Sequence, residues 1–286
     1  MAFPGMWRTS FHFNAGVLLI SQLVYSFFMQ LKPCRNVVRL LAIGATLSMV
    51  LSAQPPADGK KGERKQRPPM DITKLVPMIE ETGYRPIFDG KTLTGWDGDL
   101  NFWRVEDGAI VGQTQTDKQP KQNTFLIWRG GKPADFELKM DYKLTGFNSG
   151  IQFRSVEMPD LKYALKGYQA DMDGAEQYTG QFYEERGRGF LALRGQLSYI
   201  GEGKKSAKVA SFGDNAALKT LIKSGDWNSL HLIARGNIII QILNGQVMSM
   251  IIDDDKAGRM MNGLLGIQCH VGPPMKIEVK NVRIKE

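Results

Sequence analysis

The sequence predicts an all-β sandwich across residues 70–286, on three observations. Short apolar or alternating segments are punctuated by turn signals at Asp89-Gly90, Asp107-Gly108, Gly130-Gly131, Asn148-Ser149-Gly150, Arg235-Gly236-Asn237 and Asn244-Gly245. Sustained helical periodicity is nearly absent after Tyr84. The run from Phe136 to Leu144 sets five apolar side chains against four charged ones in strict alternation, as a strand with one core face and one solvated face requires.

Taken in order, residues 1–53 read as a leader region. Apolar runs occupy 15–28 and 37–53, and Lys32 and Arg35 precede the second. Its most apolar stretch, 40–51, is too short to span a bilayer comfortably, and Leu51-Ser52-Ala53 before Gln54 suits signal cleavage. Met29 opens a conventional leader of its own, so translation is expected to start there. The expected product is exported, periplasmic or secreted, with an uncleaved membrane anchor as the alternative. Residues 54–69 carry Pro, Gly and charge with no apolar side chain larger than Ala57, which predicts a disordered linker.

A helix is expected over 71–81, before the strands. The segment 238–243, followed by Asn244-Gly245 and Gln246-Val247, predicts a tight hairpin with positive φ at both turn residues. Residues 276–285 alternate as a closing strand whose phase slips near Asn281, the mark of a bulge. The charged stretch 184–189 is expected to be a mobile loop, and Asp253-Asp254-Asp255 a solvated one. Trp96, Trp103 and Trp227 are expected in the core; Trp128, beside Arg129-Gly130-Gly131, is placed to stack on a ligand ring.

The chain has 37 basic and 29 acidic residues, but nine and two of these lie in the first 69 positions, leaving 28 against 27 in the predicted domain. A near-neutral domain removes the main support for nucleic-acid binding. Cys34 falls in the leader, so Cys269 stands alone and no internal disulfide is available. Its alternation with Leu265 and Ile267 predicts a buried structural thiol.

Two strands gather polar groups. In Ile151-Gln152-Phe153-Arg154 the alternation puts Gln152 and Arg154 on one face, and in Tyr168-Gln169-Ala170-Asp171-Met172-Asp173 it puts Gln169, Asp171 and Asp173 together. If neighbours in a sheet, these faces make a patch suited to a hydroxyl-rich ligand. An Arg154–Asp171 cross-strand ion pair is the purely structural alternative. Asp171 and Asp173, with Glu176, also suit a divalent metal such as calcium, although Asp173-Gly174 is equally an ordinary turn.

Tyr84-Arg85-Pro86-Ile87-Phe88-Asp89-Gly90-Lys91-Thr92-Leu93-Thr94-Gly95-Trp96, Trp103-Arg104-Val105-Glu106-Asp107-Gly108, Asn148-Ser149-Gly150-Ile151-Gln152-Phe153-Arg154, Gly167-Tyr168-Gln169 and Thr179-Gly180-Gln181-Phe182-Tyr183 occur in the order of the 3-keto-disaccharide hydrolase family. Gly266-Ile267-Gln268-Cys269-His270 and Val282-Arg283-Ile284-Lys285 also fit, and the resemblance covers roughly residues 83–286. It implies a concanavalin A-like, laminin G-like jelly roll of two curved antiparallel sheets, with saccharide on the concave face. The chain departs from the commoner Gly-Tyr-Glu-x-Gln pattern by carrying Gln169 and Asp171.

The chemistry this resemblance implies is elimination from a 3-keto-glycoside. The ketone acidifies the C2 hydrogen, a base removes it, the enolate expels the group on C1, and water adds. Such a site needs a base, a donor or cation at the ketone oxygen, and an acid for the leaving oxygen. By residue type the base is Asp171 or His270, the enolate partner Arg154 with a bound metal as an option, and the proton donor Tyr183 or Glu184. Asn148, Gln152, Gln169, Gln268 and Trp128 would hold substrate. The carbohydrate partner then implies an upstream sugar 3-oxidoreductase. The competing readings are a noncatalytic carbohydrate-binding module and a conventional glycosidase using two carboxylates.

Overall fold

The computed structural model describes residues 82–286. The leader, the linker and the expected 71–81 helix lie outside them. With strands numbered in chain order, the larger sheet runs β12 (Ala207–Ser211), β11 (Gln196–Ile200), β15 (Gln246–Asp253), β14 (Ile238–Leu243), β13 (Asn228–Arg235), β6 (Phe136–Gly146), β17 (Met275–Lys285), β4 (Ala109–Gln113) and β3 (Trp103–Glu106), with β1 (Arg85–Pro86) also on β17. The smaller sheet runs β10 (Gly189–Ala192), β9 (Phe182–Glu185), β8 (Leu165–Asp173), β7 (Asn148–Glu157), β16 (Leu264–Cys269), β5 (Thr124–Trp128) and β2 (Trp96–Asp97). This is the expected jelly-roll sandwich, with one departure from antiparallel order: β11 pairs parallel to β15.

The core forms where the inward residues of the two sheets meet. β6 alternates buried and half-buried positions from Phe136 through Leu144, as its sequence requires. Its Phe136 ring meets Phe153 of β7 edge-on at 6.2 Å, and Phe153 stacks on Tyr168 of β8 at 5.5 Å. Each such side chain contributes about 1.5–3 kcal/mol on burial. Cys269 is fully buried in this core, and burial pushes its thiol pKa up, so it is structural.

The hairpin of β14 and β15 turns at Asn244 and Gly245 with φ of 50° and 84°, the positive pair its sequence predicts. The phase slip in β17 is a bulge: Asn281 has φ 55° and the register against β6 shifts between Lys280 and Arg283. A short helix, α1 (Asn215–Lys219), is capped by Asp214, which accepts from the N–H groups of Ala216 and Ala217. At five residues it is too short for periodicity to show.

Charge and aromatic placement differ from expectation in three places. The 184–189 stretch is the end of β9, a tight three-residue turn and the start of β10, anchored by Arg188 to Glu184 at 2.6 Å, Asp253 at 2.7 Å and Asp255 at 3.4 Å. Asp253 and Asp255 are therefore buried and not a solvated loop, and Tyr168 donates to Asp253 at 2.6 Å. Trp103 is in the core, but Trp227 lies half-buried outside it, with the Lys280 ammonium 3.8 Å from its ring centre.

Candidate active site

The outward face of the smaller sheet carries the polar patch. Strand register lines up one row of same-face residues: Phe190 opposite Tyr183, Tyr183 opposite Gln169, Gln169 opposite Gln152, and Gln152 opposite Gly266. The next row holds Asp171 opposite Gly150, with Gln268 two residues beyond Gly266 on β16. Glycine at 150 is a steric requirement, because a Cβ there would come within 2.6 Å of the Gln169 side chain.

The face is strongly concave. Asn123, just before β5, donates to the Glu185 carboxylate of β9 at 3.1 Å although β8, β7 and β16 lie between those strands. A flat sheet would separate them by about 19 Å at 4.8 Å per strand, so the sheet curls and the segment before β5 arches over it. Val271 donates to the same Asn123 at 3.0 Å, tying the end of β16 into the closure.

Beneath this closure Gln152, Gln169, Asp171 and Gln268 are all buried. Their amides form a directed network. Gln169 donates through Nε2 to Asp171 Oδ1 at 2.7 Å, so its carbonyl oxygen accepts, and it receives Gln152 and Gln268 at 3.2 Å each. Ser155 donates to Gln152 Oε1 at 2.5 Å, while Gln268 Oε1 has no partner. A buried acceptor left open in an otherwise satisfied network suits a ligand donor.

Asp171 has its pKa pushed up from an ordinary 3.8 to about 7. Burial is the main cause, opposed by the Gln169 hydrogen bond and reinforced by the charges of Glu185 and Asp173. The Tyr183 hydroxyl is also shifted upward by burial, then by Glu185 and Asp171, so it stays a neutral donor near pH 7. Beside it, Phe190 is 47% exposed, meeting Tyr183 edge-on at 5.1 Å and stacking on Tyr178 at 5.8 Å. An exposed aromatic ledge next to buried hydrogen-bonding groups fits the two faces of a sugar ring.

Several expected site residues stand elsewhere. Arg154 does not share the face of Asp171. The ladder to β8 breaks between Phe153 and Val156, and Arg154 takes φ 46°, which sends its side chain away from the amide floor. There it is buried and donates to the backbone oxygens of Ala134 at 2.6 Å and Gly236 at 2.6 Å, with Asp135 at 3.3 Å. The Arg154–Asp171 pair therefore does not form. Glu184 faces the opposite side of β9 and is held by Arg188. Glu185 occupies the concave face instead, and alternation from Tyr183 was the available signal for it.

Trp128 is buried in the core and is no sugar platform. His270 lies just past β16, half-buried, with Nδ1 against Val271 O and its ring edge-on to Phe147 at 5.1 Å. Asn148, opposite Asp173, keeps a buried Oδ1 without a partner. Asp173 closes its own turn, accepting from the N–H groups of Gln177, Tyr178 and Thr179 at 2.8–2.9 Å. Both of its oxygens are thus engaged by backbone N–H groups of its own turn. Among the described residues no three His, Cys, Asp or Glu side chains converge as a metal site would need.

The profile of the 3-keto-alpha-glucoside-1,2-lyase-like domain matches residues 83–285. A 3-keto-disaccharide hydrolase of Bacteroides thetaiotaomicron is 34% identical over 96 residues, 31% of this chain and 33% of that one, so the match spans about a third of that relative's length. Among solved structures, a Parabacteroides distasonis protein provisionally described as a glycosyl hydrolase aligns with TM-score 0.47 and 21% identity over 71% of this chain and 93% of its own. The carbohydrate-binding module CBM66 of Bacillus subtilis aligns with TM-score 0.44 and 15% identity over 67% and 96%.

Proposed function

The chain belongs to the 3-keto-alpha-glucoside-1,2-lyase-like domain family, and from that premise we propose that it is a carbohydrate hydrolase that opens 3-keto-glycosides by elimination and hydration. The observation that carries the reading is Asp171: a buried carboxyl on a concave amide floor, with a pKa near 7. A base with a pKa near the working pH best combines availability with basicity.

In this reading the sugar ring rests against Phe190, with its hydroxyls on the amides of Gln152 and Gln268. Asp171 takes the proton from C2, and the electron pair forms the C2–C3 enolate; as the C3 ketone re-forms, the C1–C2 double bond is made and the C1–oxygen bond breaks. Tyr183 donates a proton to the departing oxygen. Water then adds across the double bond, hydroxyl to C1 and hydrogen to C2. Arg154 has no part in this scheme, because it bonds backbone carbonyls elsewhere. The leader-like residues 1–53 support export, and an oxidoreductase acting at sugar C3 must supply the substrate.

One observation favours a second reading. Asp171 and Glu185 share the face, and the charge of Glu185 helps keep Asp171 protonated, which is the division of labour of a two-carboxylate glycosidase. Incubation of the protein with a 3-keto-glucoside and with its unoxidised parent, followed by mass spectrometry, separates the two. Cleavage confined to the keto sugar is expected. Preferential cleavage of the parent sugar would overturn elimination in favour of the glycosidase, and cleavage of neither would leave a binding module.

A further inference from the structure

A second concave site lies beside β2 and β5, away from the Asp171 floor: a cavity of about 660 Å³. That is within the range of small-molecule pockets, roughly 300–1,000 Å³. Its walls come from the connection between β2 and β3, the segment leading into β5, and the tip of the β7–β8 hairpin.

Two features point to a ligand with both apolar and hydroxyl surface. Trp96, Phe102 and Tyr163 line it, and Trp96 is fixed in place because its indole N–H donates to Ile87 O at 2.7 Å. At the rim Leu100 is 73% exposed, the most exposed large apolar side chain among the described residues. Between these, Gln122 and Thr124 offer hydrogen-bonding groups.

The charges around the cavity largely answer one another. Asp97 is paired with Arg129 at 2.8 Å, Asp99 accepts from the backbone and side chain of Asn101 at 2.9 Å, and the Lys162 ammonium sits 4.7 Å from the Tyr163 ring centre. With two carboxylates and two ammonium groups in the lining, the site favours a neutral ligand. The segment before β5 is a wall common to both sites: Gln122 and Thr124 line the cavity while Asn123 between them bonds Glu185 on the concave face.

We propose that this cavity is a second saccharide-binding site, which holds a neutral sugar unit apart from the reacting ring. The proposal rests on the carbohydrate reading of the chain, but its test does not use turnover. The full chain is labelled with 5-fluorotryptophan, the Trp96 resonance is assigned with Trp96→Phe, and cellobiose is titrated with glycerol as the control polyol.

Cellobiose is expected to move the Trp96 resonance saturably while Trp227 stays still. Leu100→Asp with Gln122→Ala should weaken the response about tenfold, and Asp171→Asn should leave it unchanged. A Trp96 resonance silent to cellobiose, or equally responsive to glycerol, overturns the proposal, as does a response lost in Asp171→Asn but kept in the cavity variant. A response to p-nitrophenol alone would overturn the saccharide assignment in favour of an aromatic ligand. Cellobiose binding with no turnover of any sugar would support this site and refute the elimination reading separately.

Discussion

Replacing Asp171 by Asn should stabilise the protein at alkaline pH while abolishing its turnover. The asparagine carbonyl can still accept from Gln169 Nε2, so the amide floor is kept and only the ionisation is removed. In the folded state the carboxyl titrates at about 7 against an ordinary 3.8. A raised carboxyl pKa means that the folded state binds more protons than the unfolded state between those values, so its contribution to stability falls as pH rises through that window. At about 1.4 kcal/mol per pH unit the full loss is about 4 kcal/mol above pH 7, of which about 2 to 3 kcal/mol falls between pH 5 and pH 8.5. Urea unfolding of both proteins at those two pH values reads the difference directly. The variant should gain about 2 to 3 kcal/mol on the wild type across the interval, roughly 1 M in urea midpoint for typical slopes. A stability difference that stays flat between pH 5 and 8.5 would show that Asp171 is not held neutral, and would remove it as a base with a pKa near 7.

Four further outcomes follow from the geometry. Arg154→Met should cost about 2 kcal/mol or more in thermal unfolding, because Ala134 O and Gly236 O lose a buried donor, while the pH profile of turnover keeps its midpoint; a shifted midpoint would return Arg154 to the chemistry. Arg188→Leu leaves buried Asp253 and Glu184 without their cation and should lower stability by about 3–5 kcal/mol by denaturant titration. Gly150→Ala pushes a methyl into Gln169 and should cut kcat up to about 100-fold by misplacing Asp171; unchanged kinetics would show that Gln169 does not position it. Phe190→Ala, at a half-exposed position, should change stability by less than about 0.5 kcal/mol yet raise KM for the keto-glycoside, and an unaltered KM would remove the ledge from substrate binding.

The two-residue period made most of the sandwich legible. Phe136–Gly146, the Asn244-Gly245 hairpin and the Asn281 bulge all stand where alternation and turn chemistry put them. Long-range ion pairing was not legible, because nothing local marks Asp253 and Asp255 as partners of Arg188 some sixty-five residues away. Trp128 shows a related limit: the Gly130 and Gly131 beside it look like an open platform, yet a Cβ at Gly130 would come within 2.3 Å of the buried indole, so the glycine is there to let the ring pack. The departure at Gln169 and Asp171 has a local explanation. Where the commoner pattern has an acid and then an amide, this chain has the amide first, and the two side chains still bond each other at 2.7 Å.

The misplacement of Arg154 is the most consequential, because it follows from one irregularity and alters the electrostatics of the whole floor. Uninterrupted alternation would have carried its guanidinium to the face of Gln152, and a cation beside Asp171 would hold that carboxyl ionised and weakly basic. The register break after Phe153, with the positive φ at Arg154, directs the charge to the carbonyls of Ala134 and Gly236 instead. What remains around Asp171 is burial and the negative charges of Glu185 and Asp173, all of which favour the protonated acid, against the single Gln169 hydrogen bond, which favours the ionised one. The bulge therefore sets the basicity of Asp171 by withholding a cation, and restoring strict alternation there would be expected to return it to an ordinary carboxylate.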